Sequence, residues 1–462
     1  MSAKGRPERE YRSAKSEGSP ASAKGRPERE YRSAKREGAP ASAKAAPIHT
    51  AALIVGASPC RLWGLDSHER LRRQLKEVGV RAIATEPADL GDARQVLIVD
   101  AGFLFGLLTL RGVLAHPDAL LVWPDDNRVA AALVACERVN EVLGCIRDGA
   151  SRPHDLQLLT TLDLAGYDRN LRKTAPPLLE AVTPDKSAAL EALLYGNAYK
   201  GVTDFVTKYW WPRPARVLVG WCARLGITPN TVTLVGVLLM LMATYAFFQG
   251  AYAIGLACGW VMTLLDTVDG KLARVTVAAS RFGHALDHGV DIVHPPFWYV
   301  AWGLGLEALE SVDPLVWTAA WDLGLGSAQP EGISVAMLCW LVAGGYVAGR
   351  LIEVAFHQLG HCGIFAWRPF DAWFRLIVAR RNPCLVILTV GTLFGRPDLA
   401  VLGVAFWTLA SAAILFVRFL YAAGVRLRTG RPLDSWLKDG TSAAREHARA
   451  WRIFSVTRGA YR

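Results

Sequence analysis

Four aspartates at the end of an apolar segment are the residues of this sequence best suited to chemistry. Asp266 and Asp269 are three residues apart, and Asp287 and Asp291 are four apart, so each pair shares one face of a helix. Carboxylates this close repel one another and resist desolvation at a membrane boundary unless cations neutralise them. Oxygen ligands of this type select Mg²⁺ or Mn²⁺. The spacing therefore predicts a divalent-metal site.

Small residues and an arginine accompany these acids. Gly270 and Ala273 lie on or beside the face of the first pair, where little side-chain bulk lets a ligand approach the backbone. Arg274 can pair with a phosphate. These three residues predict a phosphate-binding surface. Gly283, four residues before Asp287, would let the two helices or the ligand approach closely.

Together these residues spell D-x-x-D-G-x-x-A-R, then eight residues, then G-x-x-x-D-x-x-x-D, over positions 266–291. The pattern resembles the signature of the CDP-alcohol phosphotransferase superfamily, and the resemblance extends from about Lys200 to the last apolar segment. It implies a homodimeric membrane enzyme of the EC 2.7.8 type. Such an enzyme transfers a phospho-alcohol group from a CDP-alcohol to an acceptor hydroxyl and releases CMP, most often in phospholipid synthesis.

The resemblance also implies a role for each acid. Asp266, Asp269 and Asp287 would bind a pair of divalent ions, and Asp291 would lie near the metal and act as general base. The phosphate-binding surface defined above would hold the CDP part of the donor. Charges kept only for helix packing are the structural alternative. Unpaired acids inside a membrane are too costly to be retained for packing alone, so this alternative is disfavoured.

A second element lies just before the first apolar span. Pro229, Asn230 and Thr233 in ITPNTVT match the P-N-x-x-T element that borders the nucleotide pocket in that superfamily. The same segment is also a good helix start, with Thr228 as N-cap and Pro229 at the first helical position. Nucleotide binding and helix capping explain the element equally well.

Basic residues near two span ends are candidates for binding the acceptor. Arg350 lies near the end of the fourth span, and Arg380 and Arg381 lie at the start of the fifth. Arginine fits a phosphate bidentately, but basic residues at span ends are also topology markers. His357 and His361 are four apart, as metal ligands can be. A glycine between them and the lack of a third ligand favour a role without metal.

Six apolar spans are predicted in the C-terminal half, at 230–248, 251–269, 288–309, 332–354, 377–394 and 398–420. The content of hydrophobic residues, 52%, and the mean hydropathy of +0.21 agree with a membrane domain. Lys and Arg follow the second and fourth spans, whereas the loop after the third span has acids and no Lys or Arg. The positive-inside rule therefore predicts cytoplasmic termini and an aspartate cluster on the cytoplasmic side of the inner membrane.

A soluble α/β region over 48–199 precedes the spans. The segments HTAALIVG, RQVLIVDAG and ALLVWPDD predict buried strands, and DSHERLRRQLKEVGV predicts a helix. This Rossmann-like region resembles the nucleotidyltransferase half of the bifunctional inositol-phosphate cytidylyltransferase / di-myo-inositol-phosphate-phosphate synthase family, which makes the CDP-alcohol. The turn after the first strand keeps Gly56 and Arg61 but has no lysine for a triphosphate, which indicates a degenerate domain.

The remaining segments have simpler compositions. Residues 2–21 recur almost unchanged as 22–41, rich in charge, Gly and Pro, so 1–47 is predicted to be a disordered tail. Aromatic and basic residues interleave over 200–228, which predicts an interfacial helix; packing on the soluble domain is the alternative. The other predicted boundaries are 229–425 for the six-helix domain and 426–462 for a basic tail.

The charge pattern and the cysteine spacing argue against a nucleic-acid-binding protein, a zinc site and a disulfide framework. The formal charge of +11 fits an anionic membrane surface, because no nucleic-acid-binding signature accompanies it. Eight cysteines without C-x-x-C spacing indicate neither a zinc site nor a disulfide framework. Two other functions stay open: a bifunctional enzyme that also makes its own CDP-alcohol, and an ion- or proton-coupled transporter. The transporter is disfavoured because the acids lie at the membrane edge beside Gly270 and Arg274.

Overall fold

The structure, a computed structural model, describes residues 50–164, 166–168, 171–175, 177–307 and 335–455. The predicted disordered tail and the loop between the third and fourth predicted spans lie outside the described residues. An α/β region and a helical region follow each other along the chain, and both belong to one compact unit, Lys44–Arg462.

The α/β region is built on a six-stranded sheet with two small two-stranded sheets beside it. The strands are β1 (Thr50–Val55), β2 (Ala82–Ala84), β3 (Gln95–Asp100), β4 (Phe103–Phe105), β5 (Ala119–Val122), β6 (Val129–Ala135), β7 (Gln157–Leu159), β8 (Gly166–Asp168), β9 (Lys173–Ala175) and β10 (Leu179–Ala181). The main sheet has the order β2-β1-β3-β6-β5-β7. Strand β6 is antiparallel to both neighbours, and the other pairs are parallel.

The strands of the main sheet are apolar on both faces because both faces are covered. Along β1, Ala52 and Ile54 enter one core, whereas Ala51 and Leu53 enter the core on the opposite face. This alternation explains why the sequence reads as an unbroken apolar run rather than as alternating polar and apolar residues. The three strands predicted from such runs are confirmed as β1, β3 and β5.

Four helices belong to the α/β region: α1 (Ser67–Glu77), α2 (Leu107–Leu114), α3 (Val139–Arg147) and α4 (Ser187–Asn197). The predicted helix is confirmed as α1, and Asp66 is its N-cap. The Asp66 carboxylate accepts a hydrogen bond from the Glu69 backbone N–H at 2.8 Å, which satisfies a donor of the first turn.

The helical region contains ten helices among the described residues. They are α5 (Pro212–Leu225), α6 (Pro229–Phe248), α7 (Tyr252–Val275), α8 (Arg281–Glu307), α9 (Val335–Phe356), α10 (Pro369–Ile377), α11 (Arg381–Leu393), α12 (Pro397–Thr429), α13 (Gly440–Glu446) and α14 (Ala448–Phe454). By length and composition, α6, α7, α9 and α12 can cross a membrane. The pair α10 and α11, bent by 42°, makes a fifth candidate.

The six predicted spans are therefore confirmed only in part. Helix α8 occupies the place of the predicted third span. It contains Asp, His and two prolines, and by length and composition it is not among the candidate membrane spans. The predicted fifth span, 377–394, begins four residues before α11 and includes the bend between α10 and α11. The chain is extended at Val378 and Arg380, so α10 ends there and α11 begins at Arg381.

The segments before the first candidate span and after the last one also form helices. A π-helical turn (Val206–Trp210) precedes α5. Helix α5 begins at Pro212, because proline is well suited to the first turn of a helix. Beyond the predicted last span, α12 continues to Thr429, and Leu437 and Phe454 are fully buried. The segment predicted as a basic tail thus contributes to the core as far as it is described.

Candidate active site

Two helices carry the four aspartates, as the sequence predicted. Asp266 and Asp269 lie on α7, and Asp287 and Asp291 lie on α8. Asp269 is buried, whereas the side chains of Asp266 and Asp291 are 25% and 40% exposed. The side chain of Asp287 lies outside the described part of the structure. The two helices thus present a half-open acidic face.

Arg381, at the first residue of α11, bridges the two acidic helices. Its Nη2 is 2.6 Å from Asp266 Oδ2, and its Nη1 is 2.7 Å from Asp291 Oδ1. One guanidinium therefore neutralises part of the charge of both carboxylates and holds their helices together. Arg381 was predicted to bind the acceptor, whereas the structure positions it among the acids. The contact could not be inferred from sequence because it joins segments separated by 115 and 90 residues.

Asp269 is oriented by the start of α6. Its Oδ2 accepts a hydrogen bond of 2.6 Å from Thr233 Oγ1, and its Oδ1 accepts one of 2.5 Å from the Gly270 N–H. Thr233 belongs to the P-N-x-x-T element, so that element contacts the first acidic pair directly. Its capping role is also present, because Thr228 Oγ1 accepts a hydrogen bond from Thr231 N at 3.2 Å.

The same element contacts the second half of the motif. Ser280 Oγ donates to Asn230 Oδ1 at 3.3 Å and accepts from the Gly283 N–H at 2.9 Å. A Cβ atom at position 283 would lie 2.3 Å from Asn230 Oδ1, closer than real Cβ contacts come. Gly283 is therefore the residue that lets the starts of α6 and α8 approach. The sequence left open whether Gly283 serves contact between the two acidic helices or approach of the ligand; the structure places it against a third helix, α6.

The three residues of the predicted phosphate-binding surface, Gly270, Ala273 and Arg274, lie together on α7. Arg274 is exposed and folds back along its own helix, so that a Cβ on Gly270 would lie 3.0 Å from Arg274 Nη2. Ala273, directly before Arg274, is half-buried. The absence of a side chain at Gly270 leaves room beside the α7 backbone, and the Arg274 guanidinium occupies part of that room.

The two other predicted acceptor arginines meet at a different acid. Glu353 on α9 accepts from Arg350 Nη1 at 3.1 Å and forms a short ion pair with Arg380. Arg380 and Arg381 diverge because Arg380 is still extended, whereas Arg381 begins α11. The three arginines therefore do not converge on one point, and only Arg350 and Arg380 line a common cavity.

This second cavity contains residues that the sequence reasoning missed. Tyr346 and Glu353 line it together with the two arginines, and the Tyr346 hydroxyl donates to the Asp291 backbone oxygen at 3.2 Å. Nearby, Nε and Nη1 of Arg375 are buried without a hydrogen-bond partner among the described residues. Glu353 could have been noticed, because an acid inside an apolar segment is expensive unless it is functional or paired.

A buried carboxylate anchors the segment before α5 to the start of α11. Asp204 Oδ1 accepts from Thr207 N and from Asn382 Nδ2, both at 3.0 Å. Burial opposes ionisation of Asp204, but Arg375 and these hydrogen bonds outweigh it and hold the pKa of the carboxyl below its usual range. Since Asn382 follows Arg381, this anchor helps to fix the residue that bridges the acids.

The face of α7 opposite the acids packs on the α/β region. Arg70 of α1 is buried and donates from Nη1 to the Val275 carbonyl at 2.8 Å, and Arg73 donates to the Thr276 carbonyl at 2.9 Å. Lys271 Nζ donates to the Ala198 carbonyl at 3.1 Å. The two arginine bonds satisfy carbonyls at the end of α7, and the lysine bond satisfies the carbonyl at the end of α4. Together they fix the position of the helix that carries Asp266 and Asp269.

The carboxylates suit a divalent cation by donor chemistry. Asp266, Asp269 and Asp291 offer oxygen ligands only, and a cationic group already lies between two of them. Within the described residues no group of three or more acidic, His or Cys side chains is close enough to form a metal site, and the Asp287 side chain is outside that set. His361 contributes its backbone N–H to the Leu433 carbonyl at 2.7 Å.

Comparison with known proteins gives a match to the helical region. Residues 226–348 match the family described as CDP-alcohol phosphatidyltransferase. An archaetidylinositol phosphate synthase of Pyrococcus horikoshii is 44% identical over 70 residues, which are 15% of this chain and 37% of that protein. A phosphatidylinositol phosphate synthase of Mycobacterium marinum is 28% identical over 107 residues, 22% of this chain and 46% of the relative.

A relative with a different printed activity is also similar to part of this chain. Cholinephosphotransferase 1 of Xenopus laevis is 35% identical over 97 residues, which are 17% of this chain and 23% of that protein. The chain thus spans less than half the length of each of these relatives. The matched family segment contains every position of the D-x-x-D-G-x-x-A-R and G-x-x-x-D-x-x-x-D motifs. The helical region therefore contains a CDP-alcohol phosphatidyltransferase domain.

Proposed function

We propose that this chain is a membrane CDP-alcohol phosphotransferase that transfers a phospho-alcohol group to an acceptor hydroxyl and releases CMP, in phospholipid synthesis. The observation that carries the proposal is the convergence of Asp266 and Asp291 from two helices on Arg381. Acids that served packing alone would not need to be half-exposed beside a surface suited to phosphate. The match of residues 226–348 supports the same reaction class.

The donor would lie along α7. Its pyrophosphate would contact Arg274 and the backbone at Gly270, and its nucleotide would approach Asn230 at the start of α6. Asp269, buried and fixed by Thr233, would keep its orientation when the donor enters. Asp266, Asp269, Asp287 and Asp291 would hold two Mg²⁺ or Mn²⁺ ions, which supply positive charge to the pyrophosphate when bound.

The bond changes follow from the position of Asp291. The acceptor oxygen attacks the phosphorus that carries the donor alcohol, and the bond from that phosphorus to the CMP oxygen breaks. Asp291 takes the proton of the attacking hydroxyl. Asp291 is suited to this role because its side chain is more exposed than that of Asp266. Its backbone oxygen also accepts a hydrogen bond from Tyr346, which lines the second cavity.

That cavity is the proposed acceptor site. Arg350 and Arg380 would bind a phosphate on the acceptor bidentately, with Glu353 holding both guanidinium groups in place. An acceptor that carries a phosphate, such as inositol phosphate, fits two arginines better than an uncharged polyol does. The names of the archaeal and mycobacterial relatives point to the same class of acceptor.

The α/β region is proposed to be a degenerate nucleotidyltransferase-like domain. Support comes from its sheet, which is mostly parallel with a single antiparallel strand, β6, inside it. The turn after β1 has no lysine, and Asp100 lies so close to it that a Cβ on Gly56 would be 2.7 Å from Asp100 Oδ1. Burial raises the pKa of Asp100. A carboxylate without a nearby lysine is a poor partner for a triphosphate.

Location and assembly complete the proposal. The Lys and Arg residues in the last turns of α7, at the start of α8 and before α11 favour an inner-membrane protein whose site faces the cytoplasm. A homodimer rests on the resemblance to the superfamily alone. Cross-linking of the purified protein in nanodiscs, read as the mass of the product, tests the oligomeric state.

Two variants test the assignment of roles. Asp291→Asn should abolish CMP release but retain most of the affinity for the CDP-alcohol, because the amide keeps the shape and cannot accept a proton. Asp266→Asn should weaken donor and metal binding together. Substantial turnover by Asp291→Asn, or equal loss of donor affinity in both variants, would show that Asp291 is not the base.

A screen of donors and acceptors identifies the substrates. CDP-diacylglycerol and CDP-choline are each offered with free inositol, inositol phosphate, glycerol phosphate and diacylglycerol, and CMP is measured. The proposal expects CMP with a phosphorylated polyol. Formation of a CDP-alcohol from CTP and an alcohol phosphate by the full chain would instead establish the bifunctional alternative. No CMP with any pair would argue against the proposed function itself.

A further inference from the structure

An open groove lies between the α/β region and the amphipathic helix α5. It has a volume of about 330 Å³ and is lined by Trp63 and Glu191 on one side and by Arg216, Trp221 and Arg224 on the other. None of these residues belongs to the acidic site or to the acceptor cavity. A groove of this size can hold the phosphate and glycerol parts of a phospholipid headgroup.

The wall contributed by the α/β region is held in place. The Trp63 backbone N–H donates to Glu191 Oε1 at 2.8 Å, and its indole N–H donates to the Glu191 carbonyl at 3.0 Å. The chain then passes close to α5, since a Cβ on Gly64 would lie 2.9 Å from the Ala223 carbonyl. The positive φ of +76° at Gly64 also requires glycine. The groove is therefore preformed.

The charges of the groove favour an anion. Arg216 and Arg224 contribute two positive charges, and Glu191, which contributes one negative charge, accepts the Trp63 N–H. Arg224 is exposed and has no ion pair with any described residue. A phosphodiester, which carries one negative charge, would neutralise the net positive charge of the groove, because an arginine binds it through charge-assisted hydrogen bonds.

The surface next to the groove indicates where the rest of the ligand lies. Val217, Trp221 and Leu225 are four residues apart along α5 and are 54%, 57% and 74% exposed. They form an apolar stripe that meets the groove at Val217 and Trp221. Helix α5 directly precedes α6, the first candidate membrane span. Apolar side chains exposed directly before a candidate membrane span are suited to acyl chains rather than to water.

We propose that this groove binds the headgroup phosphate of an anionic membrane phospholipid, with Arg224 and Arg216 on the phosphate and the acyl chains along the apolar stripe. The bound lipid would link the α/β region to the bilayer surface. The proposal is independent of the reaction at the aspartates, and its test does not measure turnover.

The test is lipid binding by the full chain in detergent, counted by native mass spectrometry. Phosphatidylglycerol and phosphatidylcholine are titrated in parallel against the wild type, Arg224→Gln and Arg213→Gln. Arg213 is a matched control, because it lies on the same helix, is exposed and does not line the groove. Unchanged melting temperatures verify that the variants are folded.

We expect tight binding of one phosphatidylglycerol per chain, and an affinity about tenfold lower in Arg224→Gln but nearly unchanged in Arg213→Gln. Equal losses in both variants would indicate general attraction of lipid to basic residues and would overturn the proposal. Equal affinity for phosphatidylcholine would overturn it as well. Displacement of phosphatidylglycerol by glycerol 3-phosphate at the same concentration would show that a soluble phosphate ester is the ligand instead.

Discussion

The contact between Gly283 and Asn230 makes the most specific prediction. A Cβ at position 283 would lie 2.3 Å from Asn230 Oδ1 and 2.9 Å from Ser280 Oγ, whereas an ordinary contact is 3.4 Å or more. In Gly283→Ala, therefore, either Asn230 must rotate or α6 and α8 must separate by about 1 Å. Both responses break the hydrogen bond between Ser280 and Asn230 and move α8, which carries Asp287 and Asp291.

The cost in stability should be modest and the cost in activity large. Losing one exposed hydrogen bond and forcing a small shift costs about 1–3 kcal/mol of unfolding free energy. A displacement of about 1 Å at the reacting groups costs on the order of 100-fold in turnover. Gly283→Ala should therefore remain folded, with a melting temperature lowered by several degrees, and lose about 99% of CMP release.

Asn230→Ala supplies the internal control, because it removes the closer of the two atoms that a Cβ at position 283 would meet; the other, Ser280 Oγ, ends a short side chain that can rotate away. The double variant Gly283→Ala/Asn230→Ala should show no more than the loss of Asn230→Ala alone, so the second change rescues part of the first. Gly289→Ala is the matched control on α8, since a Cβ there meets nothing within 4 Å. Multiplicative losses in the double variant, or an equal loss in Gly289→Ala, would refute this account of the motif glycine.

Three further predictions use other parts of the molecule. Removing Arg381 takes away a positive charge that Asp266 and Asp291 share, so Mg²⁺ should raise the melting temperature of Arg381→Met more than that of the wild type. Arg396→Met, which loses an ion pair elsewhere, should respond to Mg²⁺ as the wild type does. Burial lowers the pKa of Lys173 from 10.5 to about 8, so between these pH values the unfolded chain binds more protons than the folded chain. The free energy of unfolding should therefore rise with pH over this range, by up to about 3 kcal/mol. The melting temperatures of the wild type and of Lys173→Met are compared from pH 7 to 10; the prediction is contradicted if that of the wild type does not rise relative to that of the variant. Deletion of residues 1–44 should leave CMP release nearly intact, because that segment is too polar to form a core, and a large loss would reveal a role for the repeats.

Local patterns predicted the elements of this fold well. The apolar runs around Ile54 and Val99 became central strands, and Asp66 caps the helix that was expected after it. The spacing of the aspartates placed each pair on one helix because helical periodicity alone determines that relation. The element P-N-x-x-T was also recognisable, although its contacts with Asp269 and Gly283 were not.

Contacts between distant segments could not be read from such patterns. Arg380 and Arg381 are adjacent in sequence, yet one pairs with Glu353 and the other with Asp266 and Asp291, because the helix begins between them. The break before α11 depends on how Asp204 and Asn382 pack, which no periodicity encodes. The attachment of α1 to the end of α7 through Arg70 likewise arises only when the two regions fold together.

Metal-dependent CMP release is the most direct test of the central claim. Purified full-length protein in nanodiscs is supplied with CDP-diacylglycerol and a phosphorylated polyol, and CMP is measured with Mg²⁺, with EDTA, and in Asp291→Asn. We predict CMP that requires both the acceptor and Mg²⁺, and at least a 100-fold loss in the variant. CMP formation that continues in EDTA, or in Asp291→Asn at the wild-type rate, would contradict a reaction at the aspartate cluster.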